Sequence, residues 1–81
     1  MTIDPRHTDL LHWTDFTRTR LSVIIPGVLI PKFDPNLETW QDWGNRILNN
    51  AAIRSASAPS TLGYDSWRDW AFRFNQAIGR L

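Results

Sequence analysis

Along the C-terminal half of the chain, apolar residues recur at helical spacing. Trp67, Trp70, Ala71, Phe74, Ala77/Ile78 and Leu81 follow the i, i+3, i+4, i+7 order of one face, which predicts a helix over about residues 65–80. Trp40, Trp43, Ile47, Leu48 and Ala51 repeat the order less cleanly and predict a helix over about residues 35–54. Both starts carry a capping-box pattern, Thr39 with Asp42 and Ser66 with Asp69. In each, a hydroxyl accepts from a free amide of the first turn and the acid three residues on answers back. Asp34 as cap with Pro35 at the first helical position is an alternative start for the earlier helix. Glu38, Asp42, Asp65 and Asp69 put negative charge near positive helix ends. Residues Ser55 to Gly63 are small, polar and broken by Pro59, so they form a loop. A loop of that length permits antiparallel packing without requiring it.

The N-terminal third has a different pattern. Thr8 or Asp9 is a candidate cap for a short helix through Thr19 that buries Leu10, Trp13 and Phe16, although four threonines weaken it. Two β-branched runs, Leu21 to Ile25 and Val28 to Ile30, then flank Pro26-Gly27, a pair suited to the centre of a type II turn. Two-residue hairpins prefer primed turns, so a tight hairpin and an extended arm both stay open. Either way Val23, Ile24, Ile25, Val28, Leu29 and Ile30 must pack on something, which makes them a candidate docking arm. The expected fold is mainly α. Residues 1–33 would be an arm with a possible short helix and an apolar extended or hairpin segment; residues 34–81 would be a module of two Trp-headed helices.

An internal repeat bears on this division. Trp13, Trp40 and Trp67 are 27 residues apart, each followed by an aspartate two positions on (Asp15, Asp42, Asp69) and then Phe16, Trp43 or Trp70. Leu10, Leu37 and Tyr64 precede them by three residues. The second and third copies agree through Arg46 and Arg73, whereas the first copy lacks the arginine. Equivalent registers predict equivalent burial for Trp40 and Trp67. Trp13, in the divergent copy before the arm, is expected to face a partner.

Composition narrows the function. Eighty-one residues allow one domain with a modest core. Cysteine is absent, which removes disulfides, thiolate metal sites and cysteine nucleophiles. A net charge of +1 argues against nucleic-acid binding through bulk charge. Residues 1–9 lack the apolar stretch of a secretory signal, and Leu21 to Pro31 is too short for a membrane span, which needs about 20 residues. A soluble protein made in a cytoplasm is expected.

Five tryptophans are the unusual count. Trp13, Phe16, Trp40, Trp43, Trp67, Trp70 and Phe74 read as core or interface, because Trp supplies the buried area a small core lacks; an exposed ligand platform is the other use. Arg46 and Arg73 have two structural roles open to them, cation–π contact with an indole or an ion pair with Asp42 and Asp69 one turn back. His7 and His12 flank Asp9 without the further ligands a metal site needs. No nucleophile–base arrangement or phosphate loop is present in the spacing, so neither an enzyme nor a cofactor is expected.

Trp67-Arg68-Asp69-Trp70-Ala71-Phe72-Arg73-Phe74-Asn75, its counterpart Trp40 to Arg46, and the proline-flanked Ile30-Pro31-Lys32-Phe33-Asp34-Pro35 resemble short virion structural proteins of tailed bacteriophages, of the tail-fibre, appendage and head-decoration kinds. The resemblance implies a structural subunit of a virion, often a trimer, attached to a larger phage structural protein. It carries over no catalytic residue. Without a β-rich shaft the chain would be a small subunit, adaptor or decoration. The expectation is therefore a non-enzymatic assembly subunit and a homo-oligomer, with no membrane and no nucleic-acid partner. The rivals are a single-stranded nucleic-acid module that stacks bases on Trp and Arg, and a phage regulator that binds a bacterial protein.

Overall fold

A computed structural model describes residues 3–79. Within them, a single-turn 3-10 helix at Pro5–His7 is followed by α1 (Leu10–Ile24), α2 (Trp40–Ile47), α3 (Ala51–Ser55) and α4 (Trp67–Ile78). The fold is mainly helical, and no strand occurs among the described residues.

Helix α1 begins at Asp9, whose carboxylate accepts from the amide of His12 at 2.8 Å. Its hydroxyl residues do not break it, because they bond back along the helix: Thr14 Oγ1 to the Leu11 carbonyl, Thr19 to Asp15, and Ser22 to Arg18. The helix therefore passes Thr19 and takes in Leu21 to Ile24. Of the two forms left open for the arm, the β-hairpin does not form among the described residues. Pro26 ends α1, because the residue before a proline is pushed out of the helical region, and Ile25 sits at φ −119°, ψ 96°. The Val28 amide donates to the Ile25 carbonyl, and Gly27 has φ +77°, as the third position of a type II turn requires. Pro26-Gly27 thus makes the expected turn, with a helix leading in and a segment without regular secondary structure leading out.

The single helix expected over 35–54 is two. Asp34 and Pro35 form a turn, with Asp34 accepting from the amides of Asn36, Leu37 and Glu38. α2 starts at the Thr39–Asp42 capping box, in which both reciprocal hydrogen bonds are made, at 3.2 and 3.1 Å. At Asn49-Asn50 the chain stops and restarts, because the Asn50 side chain accepts from Ala52 and Ile53 and caps α3 afresh. α4 is capped by Ser66 alone. The hydroxyl accepts from Arg68 instead of Asp69, so the expected second box is not completed.

Trp13, Trp43 and Trp70 are each the fourth residue of their helix, four positions after the caps Asp9, Thr39 and Ser66, and each is 1% exposed. The structural repeat is therefore not Trp13/Trp40/Trp67. The first copy is displaced by three residues, and the equivalent of Trp13 is Trp43 or Trp70. The next position is small and buried in every case (Thr14, Gly44, Ala71), and one turn later Thr17, Ile47 and Phe74 are buried too. Leu10, Trp40 and Trp67 open the three helices and pack, half-buried, against the core.

Trp13 is the hub. Its ring lies 5.9–6.1 Å from those of Trp43, Trp67, Trp70 and Phe74, three of these contacts being edge-to-face. The expectation that it faces a partner is corrected: a residue of the N-terminal third centres one core shared with all that follows. Trp70 stacks on Phe74 at 4.9 Å, and Leu21, Phe33, Ile53 and Ile78 complete the cluster. α2 comes closest at Gly44, where a Cβ would meet Thr61 Cγ2 at 2.7 Å and the Trp70 ring at 3.3 Å.

Candidate functional site

The aromatic residues singled out in the sequence are structural. Trp13, Trp43, Trp70 and Phe74 are buried, while Phe16, Trp40 and Trp67 are half-buried. The indole N–H of Trp43 donates to the Pro31 carbonyl at 2.7 Å, and that of Trp70 to Pro59 at 2.9 Å. Trp13 Nε1, equally buried, has no partner among the described residues. These rings close the core and tie down the segments that precede their helices. Trp13, Trp43 and Trp70, each 1% exposed, leave no ring face open to a ligand.

The arginines have other partners than expected. Arg46 pairs with Glu38, at 2.6 and 2.8 Å, and not with Asp42 or the Trp43 ring. Glu38 also accepts from the Asp34 amide, so this pair ties α2 to the turn before it. Arg73 is exposed and forms no ion pair with a described residue. The cation–π contact that exists is one sequence reasoning missed: the Arg68 guanidinium lies 4.7 Å from the centre of Trp67. Arg68 also donates to the Thr8 carbonyl, and Asn75 to that of Ile3, so residues 3–8 lie along α4 instead of reaching outward. In that stretch the Arg6 guanidinium holds the Asp4 carboxyl down at about pKa 2 through their paired hydrogen bonds. The same guanidinium covers Phe72 at 5.9 Å. Among the described residues, no three His, Cys, Asp or Glu gather as metal ligands would.

Apart from Phe72, the large apolar residues that stay exposed are aliphatic: Leu11, Val23, Ile24, Leu29, Leu37 and Leu62. Of the predicted docking arm, Leu29 is 94% exposed and Val23 78%, with Ile24 exposed beside them. Ile25 and Ile30 instead pack against the core, and Val28 is half-buried. The physical cause is the turn. Pro26-Gly27 sends the chain back along α1, leaving Leu29 in solvent and Ile30 against the core. Between this segment (Val28–Pro31) and Arg18, Thr19 and Ser22 of α1 runs an open groove of about 560 Å³. Its α1 wall was hidden from sequence reasoning, which ended the helix at Thr19; Arg18 and Ser22, four apart, would have shown it on a longer helix. Arg18 is held to Asp15 at 2.9 Å.

No helix among the described residues is long and apolar enough to span a membrane. Comparison with protein-family models, characterised proteins and solved structures finds no match to this chain.

Proposed function

We propose that this chain is a non-enzymatic docking subunit that binds a larger protein through the aliphatic turn formed by Val23, Ile24 and Leu29 and the groove beneath it. The observation that carries the reading is a division of labour among apolar side chains. Its largest aromatics are consumed inside the subunit, while Leu29 and Val23, on either side of the Pro26-Gly27 turn in the chain, stay in water at 94% and 78% exposure. Clustered exposed aliphatics mark interaction sites more often than scattered single ones do. A place for the subunit in a tailed-phage particle, and a trimeric state, rest on the sequence resemblance alone. The tryptophans give no argument for self-association, because Trp13, Trp43 and Trp70 are each 1% exposed within one subunit.

The nucleic-acid reading is the weaker of the two. Three indoles are unreachable, and the half-buried Trp67 is already covered by Arg68. Isotope-dilution mass spectrometry of purified phage particles tests the virion placement, with the chain expected at stoichiometric copy number. Particles assembled with Leu29→Asp should lack it, whereas equal incorporation of that variant would refute docking through the turn.

A further inference from the structure

We draw no further inference here: the strongest candidate, the open cleft between the single-turn helix at Pro5–His7 and α4 lined by Arg6, Tyr64, Arg68, Phe72 and Arg73, sets the Asp65 and Asp69 carboxylates among its cations, with Arg6 already paired to Asp4, and nothing in the structure shows what covers it.

Discussion

Trp43 donates its indole N–H to the Pro31 carbonyl across 2.7 Å, and the same bond recurs 27 residues later between Trp70 and the carbonyl of Pro59 at 2.9 Å. Each bond joins the fourth residue of a helix to the proline-containing segment that leads into it. This fixes the path of an otherwise irregular connection and satisfies a donor that burial would orphan. The first helix has no counterpart, and Trp13 Nε1 is the donor left without an acceptor among the described residues.

That asymmetry predicts an order of costs. Truncation of Trp13, Trp43 or Trp70 to alanine should each cost roughly 3–5 kcal/mol, much of the stability of a domain this small. Replacement by phenylalanine should separate them. Trp13→Phe discards an unsatisfied donor and should be the mildest, while Trp43→Phe and Trp70→Phe each strand a prolyl carbonyl at about 1–3 kcal/mol more. Urea unfolding of the six variants checks the order; an equal loss for all three phenylalanines would contradict it.

Gly44 is needed for closeness and not for backbone freedom. Gly44→Ala adds a methyl 2.7 Å from Thr61 Cγ2, and the overpacking should cost about 1–3 kcal/mol, more than the helix propensity it gains. Thr61→Ser removes that methyl while keeping the hydroxyl bond to Asn45. The double variant should recover at least half of the loss in thermal unfolding, which a purely additive pair would not.

The Asp4 carboxyl is lowered from 3.8 to about 2, first by its side-chain hydrogen bonds with Arg6. A depressed folded-state value means that its stabilisation is present in full above the unfolded value and is lost as pH falls through the folded one. Asp4→Asn should therefore flatten the stability profile between about pH 4 and 2 and leave the rest of its shape alone. Acid titration followed by circular dichroism measures the difference, and an unchanged slope in that window would argue against the pairing.

At the aliphatic turn, stability and binding should come apart. Val23→Asp and Leu29→Asp lie outside the core and should change unfolding free energy by no more than about 0.5 kcal/mol. The same substitution at the fully buried Leu21, two residues before Val23, should unfold the protein. Loss of fold in Leu29→Asp would place that side chain in the core and remove the docking surface.

Much of the C-terminal half could be read from residues, because caps and periodicity act locally. Thr39 with Asp42 set the start of α2, and the face of Trp67, Trp70, Phe74 and Ile78 set α4. The break at Asn49-Asn50 was also local, but a strong apolar period on both sides outweighed it. The N-terminal third was misread for two reasons. Threonines that look like poor helix formers bond back to carbonyls one turn earlier, and β-branched Val23 and Ile24 are carried along by the burial of Leu21. The repeat misled by three residues, since the period of 27 aligned Trp13 with the half-buried first residues Trp40 and Trp67. Counting from each cap aligns it with Trp43 and Trp70. Among the candidate site residues, Leu29 and Val23 were found by their apolar character. The partners of Arg46 and Arg68, set by tertiary approach, were not.

The central claim is that the tryptophans hold this subunit together and that binding happens elsewhere on its surface. Intrinsic tryptophan fluorescence of the wild-type chain, titrated with single-stranded oligonucleotide at low salt, tests it most directly. The account predicts blue-shifted emission that the oligonucleotide does not quench. Emission at the wavelength of exposed indole, or quenching by oligonucleotide that disappears steeply with added salt, would contradict it.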